Sequence, residues 1–292
     1  MKLKRFAKIL LSCVLAGALF TGCGTGGQQG VDKPSNNFSG DEVKLGMLTH
    51  LNSTETKMGE LYNSLAEKPN MSMHKTQPKF YDNLRTMQLA IEAGDVQEIS
   101  LYKCVADYLV ASNNKFEIVS DDFAKLTDVF CFAVRKEDTA LKAELDKVID
   151  EMKTDGTLDK LIETYITKVD KGKVPPKIQI PPTEGAPTIK VGVTGDLPPL
   201  DFVNPDGTAA GFNTALLAEI AKRLGKNIEL VQIESGSRAA ALTSEFIDVV
   251  FWAVVPFGNS DIPVDIDKPD GLDLSTPYFK DSVAHIKLKS DK

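Results

Sequence analysis

The chain has 292 residues, of which 42% are hydrophobic, 26% charged and 7% aromatic. That apolar share excludes a chain disordered throughout and is enough to build one large or two modest packed domains. The formal net charge is −7, without a Lys/Arg cluster, which excludes nucleic acid as a partner.

The chain opens on Lys2, Lys4, Arg5 and Lys8, followed by an apolar run from Ile9 to Phe20. The run is too short to span a bilayer comfortably and small residues follow it, so residues 1–22 read as a signal peptide. Its removal takes away four basic and no acidic side chains, which moves the charge from −7 to −11. Phe20-Thr21-Gly22-Cys23 resembles the lipobox of bacterial lipoproteins. The resemblance implies cleavage before Cys23 and diacylation of that cysteine; plain signal-peptidase cleavage near Ala16 or Gly22 is the alternative. Residues 23–40 are rich in Gly, Ser, Asn and Gln, a flexible tether. Two acyl chains would hold the protein on the extracytoplasmic face of the cell membrane.

Strands then alternate with helices. Val43–Thr49 reads as a strand, and Asn52 with Glu55 has capping-box spacing for the helix after it. Asp82 is expected to cap a second helix, with Leu84, Met87 and Ile91 on one face and Gly94 closing it. Val96–Leu101 is a strand, Lys103–Ala111 a helix, and Val129–Val134 another strand. Leu141, Leu145, Val148 and Met152 repeat at helical spacing, with a further helix beyond Gly156. Residues 169–187 carry five prolines and read as an extended linker. The alternation then restarts with strand Ile189–Thr194, helix Asn213–Leu224, strand Ile228–Ile233, short helix Arg238–Ser244 and strand Ile247–Val255. A loop rich in Asp, Pro and Gly precedes a last strand, Val283–Leu288. This pattern means α/β architecture with mostly parallel sheets. Cys104 and Cys131 either pair or stay as buried thiols.

Four stretches, Ile189–Phe202, Asn204–Asn213, Leu216–Gly225 and Leu274–Phe279, resemble the opening lobe of the family-3 extracellular solute-binding proteins, which serve ABC importers of polar amino acids. Leu89–Val119, Phe132–Lys136 and Met152–Leu161 resemble the later part of the same family. The halves therefore stand in reversed order, as in a circular permutation, the rival being a fused pair of fragments. The resemblance implies a two-lobed, type II periplasmic-binding-protein-like fold with a cleft between the lobes. Lobe 2 would be residues 41–120 plus 280–290, and lobe 1 residues 125–279 including the proline linker. About 19 residues at roughly 3.1 Å each let that linker join the family's ordinary termini.

The family's amino-acid anchors do not align. Phe257-Gly-Asn-Ser260 stands where an arginine is expected, Tyr102 where an acid is, and Leu197 and Leu200 where aromatic lids are. An ordinary α-amino acid is therefore a poor fit, and an anionic or aromatic small molecule is expected instead. Ser53 and Thr54 open a helix whose N–H groups favour an anion, or simply cap it. Arg238 could supply a replacement cation or lie on the surface. Trp252 could stack on a ligand or sit in the core, and Phe202 likewise. Tyr102 and Asp196 could hold ligand, or make a hinge hydrogen bond and a turn cap respectively. The chain would act as a monomer beside an ABC permease, without cofactor. His50, His74 and His285 are isolated in sequence and form no metal motif. Two other functions compete: a ligand-free scaffold or sensor-partner lipoprotein, and a dehydratase-type enzyme on the same fold using Glu55 or Asp196.

Overall fold

A computed structural model describes residues 42–119, 126–257 and 267–290, with backbone alone for 252–257. All of them belong to one compact unit, Asn36–Lys292. The leader, Cys23 and the tether lie outside the described residues.

Lobe 2 runs β1 (Glu42–Leu48), α1 (Glu55–Ala66), β2 (Lys75–Tyr81), α2 (Leu84–Ala93), β3 (Glu98–Tyr102), α3 (Lys103–Ser112) and β4 (Phe116–Ile118). Strand β1 is parallel to both β2 and β3. Parallel neighbours require crossovers, which α1 and α2 supply. Strand β2 was not anticipated: Lys75, Gln77 and Lys79 face outward and Pro78 stands in the middle of the ladder, paired with Leu45. It lies at the edge of the sheet, where a proline is tolerated.

Lobe 1 runs β5 (Thr127–Arg135), α4 (Thr139–Thr154), α5 (Thr157–Ile162), β6 (Thr188–Val193) and the short strands β7 (Asp196–Leu197), β8 (Asp201–Val203) and β9 (Ala209–Ala210). It continues through α6 (Phe212–Leu224), β10 (Asn227–Gln232), α7 (Arg238–Thr243), β11 (Val249–Phe257) and β12 (Leu272–Leu274). Strand β6 is parallel to both β10 and β11. Strand β13 (Phe279–Leu288) belongs to both lobes: Phe279–Ser282 pair with β5, and Val283–Lys287 pair with β3. The sheet order β10-β6-β11-β5-β13-β3-β1-β2 is therefore continuous, with β13 as the crossing strand.

An aromatic stack packs beside this crossing. Phe130 lies 4.6 Å from Tyr102 and 5.2 Å from Phe279, and Phe132 lies 4.8 Å from Tyr278, centroid to centroid. The proline-rich segment forms no helix or strand beyond an isolated bridge, Lys177 to Ala210. It touches both lobes, through a Lys171–Asp107 ion pair and an Ile178 amide donated to the Ala209 carbonyl.

Two caps differ from expectation. Thr54, not Asn52, caps α1 and accepts from the Lys57 amide, while Glu55 accepts from Phe80 N instead of reaching back. The Asn52 and Ser53 amides are bound to a carboxylate, which holds that turn out of the helix. Asn83, not Asp82, caps α2, because the Asp82 carboxylate accepts from Thr49 and its carbonyl from Ser235 N. Cys104 and Cys131 are both free and buried.

Candidate functional site

Strands that run the same way deliver the loops after them to one edge of a sheet. Here the two lobes bring those edges together. The loops after β1 and β2 meet those after β6, β10 and β11, and charged side chains make several of the contacts. Arg238, 4% exposed at the start of α7, donates to the carbonyls of Ser235 at 3.0 Å, Phe251 at 3.4 Å and Thr49 at 2.9 Å. The last of these crosses the cleft. Burial pulls its pKa down, and the neighbouring Tyr102 and Asp267 pull it back up.

Asp267, also 4% exposed, answers from lobe 1. Its Oδ1 accepts the amides of Asn52 at 3.0 Å and Ser53 at 3.3 Å, and its Oδ2 lies 3.3 Å from His50 Nδ1. Burial would raise this carboxyl, but the His50 hydrogen bond and charge and the Asn52 and Leu51 amides outweigh it, so the pKa falls below the usual range. A second cross-cleft carboxylate, Asp196, accepts the Leu84 amide at the start of α2 at 2.6 Å.

Between these bridges lies a cavity of about 60 Å³, well above what one ordered water needs. Thr49, His50, Tyr62 and Tyr102 line it from lobe 2, and Asp128, Leu197, Ser235 and Arg238 from lobe 1. Burial pushes Asp128 up to about 6, with Asp267 and Asp281 adding to the rise and His50 opposing it. Burial likewise keeps the Tyr102 phenol protonated.

The residues nominated from sequence divide. Tyr102 and Arg238 share the cavity. Asp196 and Phe202 line a separate, more open groove beside Arg85 and Tyr108. Ser53 contributes a buried amide to Asp267, and Thr54 is an exposed cap. Trp252 lies on β11 with its side chain outside the described residues, as do Gly258–Ser260. The three histidines are not isolated in space: His50 meets Asp267, and His74 and His285 both meet Glu98. Among the described residues no group of three His, Cys, Asp or Glu could hold a metal ion. No described helix is long and apolar enough to cross a membrane.

Sequence reasoning missed His50, Asp128 and Asp267. Asp128 carried a readable signal, an acid beside the apolar run Val129–Val134 at the lobe junction. Asp267 lies in a loop of similar acids, and nothing local distinguishes it.

Residues 36–168 and 189–256 match the sequence profile of the bacterial extracellular solute-binding proteins, family 3. The L-cystine-binding protein TcyJ of Escherichia coli (strain K12) is 31% identical over 105 residues, 36% of this chain and 36% of that protein. The chain thus matches about a third of the length of this curated relative. A ligand-binding component of an ABC-type import system from Staphylococcus aureus, solved with zinc bound, aligns at 10% identity and a TM-score of 0.42 over 85% of this chain and 66% of that one. An ancestral arginine-binding protein bound to arginine aligns at 12% identity and 0.37 over 86% of each.

Proposed function

The chain belongs to the bacterial extracellular solute-binding proteins of family 3, and we propose that it captures a small molecule between its lobes and hands it to an ABC permease outside the cytoplasm. The observation that carries this reading is the cavity lined from both lobes at the ends of their parallel strands. A ligand held there touches both lobes, so it can bias an open–closed equilibrium that a partner reads. Binding, not catalysis, is the role the site favours.

An ordinary α-amino acid is a poor candidate. Arg238 is engaged by three carbonyls, the amides before α1 hold Asp267, and Tyr102 replaces the acid the family places after β3. The cross-cleft bonds come from the protein's own groups, which favours a second reading, a lipoprotein that closes without ligand and serves as a scaffold. Thermal unfolding against a panel of amino acids, amines, dicarboxylates and aromatic acids separates the two. A ligand at about 100 times its Kd stabilises by roughly 2.7 kcal/mol, a shift of a few degrees at this size. Silence across the panel would leave the scaffold reading.

Two further parts of the proposal concern chain order and anchoring. The element order, the crossing strand β13 and a proline segment touching both lobes support a circularly permuted chain. The segment ending at Cys23 supports a lipid anchor on the extracytoplasmic face. Cys23→Ser should release the protein into the medium, and membrane retention of that variant would refute the anchor.

A further inference from the structure

We propose that the cleft takes a small organic cation without a carboxylate, such as a primary amine, with Asp128 as its counter-ion and Asp267 filling the place a ligand's carboxylate would take. The inference rests on the solute-binding reading and names the ligand class of the same cavity.

The cleft offers two features that would attract an anion, and the chain itself engages both. The amides of Asn52 and Ser53 open from lobe 2 toward the cleft, a geometry suited to a carboxylate. The Asp267 carboxylate sits on them at 3.0 and 3.3 Å, with its other oxygen on His50 at 3.3 Å. The Arg238 guanidinium reaches three carbonyls drawn from both lobes. An incoming carboxylate would have to displace these groups while facing Asp267 and Asp128 at close range, where like charges in a buried site repel strongly.

The acid side is different. Asp128 lines the cavity, and its side-chain carboxylate receives no hydrogen bond from the described residues. Its charged neighbours are His50, Asp267 and Asp281, so the surroundings are rich in carboxylate. An ammonium placed there would make a charge-assisted hydrogen bond and relieve the crowding of acids. Beside the hydroxyl-bearing Thr49, Ser100 and Ser235, the wall has an apolar part, Leu48, Leu101, Leu197 and Val283, available to an alkyl or aryl body.

Calorimetric titration of the full chain with pairs that differ only in the carboxylate tests this: isobutylamine against valine, phenethylamine against phenylalanine, histamine against histidine. We expect at least one amine to bind tenfold or more tightly than its amino acid, and Asp128→Asn to lose that affinity at least tenfold. Asp267→Ala, which empties the anion position, should gain at least tenfold for the matching amino acid. Amino acids that bind the unaltered chain as tightly as the amines would overturn the cation assignment and leave the solute-binding reading standing. Absence of heat with every compound here and in the wider panel would overturn both. Should Asp267→Ala fail to fold, Asp128→Asn still decides, because an uncharged isostere preserves the packing; undiminished amine affinity in that variant would sink the proposal.

Discussion

Arg238 shows how a side chain read as a ligand cation can instead be a structural one. Its donors end on carbonyls three, 13 and 189 residues away, so one buried side chain ties the start of α7 to β11 and to the other lobe. Arg238→Met keeps the apolar stem and removes the donors, so we expect a loss of about 3 kcal/mol, read as a lower urea midpoint at unchanged slope. A cost under about 1 kcal/mol would return Arg238 to the ligand. Sequence could nominate this residue by its place at a helix start, but the Thr49 carbonyl lies on the other lobe and leaves no local trace. Glu98 makes a second case at this scale. Burial would raise its carboxyl, yet hydrogen bonds and charge from His285 and His74 prevail and hold it at about 2 against an ordinary 4.5. The folded state therefore binds this proton less tightly than the unfolded chain does. The stabilisation is complete above about pH 4.5 and disappears as the pH falls through 2. Glu98→Gln should flatten the acid limb of the stability profile in that window, and an unchanged limb would assign it to other carboxylates.

At the scale of elements, the three helices of lobe 2 share one device. Each of α1, α2 and α3 has a carboxylate from distant sequence at or just before its first turn: Asp267, Asp196 and Asp281. The free amides and the positive end of the helix dipole favour this placement. The three differ in where they come from. Asp281 lies on β13 and caps Cys104 N at 2.8 Å from the crossing strand, so it serves α3 whether or not the cleft is shut. Asp196 and Asp267 belong to lobe 1 and serve α2 and α1 only across a closed cleft. Asp281→Ala should thus lower stability by about 1 kcal/mol without altering shape. Asp196→Ala should instead enlarge the radius of gyration in small-angle scattering with a smaller loss of stability. Equal scattering curves for the two variants would show that Asp196 is an ordinary cap. The helices themselves were legible in the spacing of their apolar residues, to within a residue or two. The caps were not, because Asn52 and Asp82 fit the local rule equally well and lose to Thr54 and Asn83 through partners distant in sequence, Asp267 for Asn52 and both Thr49 and Ser235 for Asp82. Strand β2 escaped notice because an edge strand need not alternate cleanly or avoid proline.

For the molecule as a whole, the order of elements is the property that most separates connectivity from shape. Residues 42–119 and the far half of β13 build one half of the sheet, yet they stand at opposite ends of the chain. Close fit across the cleft constrains both halves: a Cβ added at Gly236 would come within 2.7 Å of the Asp82 carboxylate. The two-lobed α/β fold was readable from sequence because the alternation restarts after five prolines, whereas the cleft's charge pairs depend on lobes brought together only by folding. If the chain is permuted, its order can be restored at little cost. A chain that begins at 188, runs to 290, passes through a short Gly/Ser joint to 42 and ends at 168 keeps every helix and strand. It loses the Lys171–Asp107 pair, whose lysine is 42% exposed and whose worth is under about 1 kcal/mol. It also loses the partial packing of Ile180 on the core, the exposed Lys177–Asp206 pair and the hydrogen bonds that Ile178, Thr183, Ala186 and Pro187 make with Ala209 and Asn227. The joint adds a loop-closure cost that grows only slowly with length. The sum leaves most of the fold's stability in place, so the restored chain should show the same circular dichroism and unfold within several degrees of the original. Failure to fold would mean that the proline segment does more than connect, and would return the weight to a fusion of two fragments.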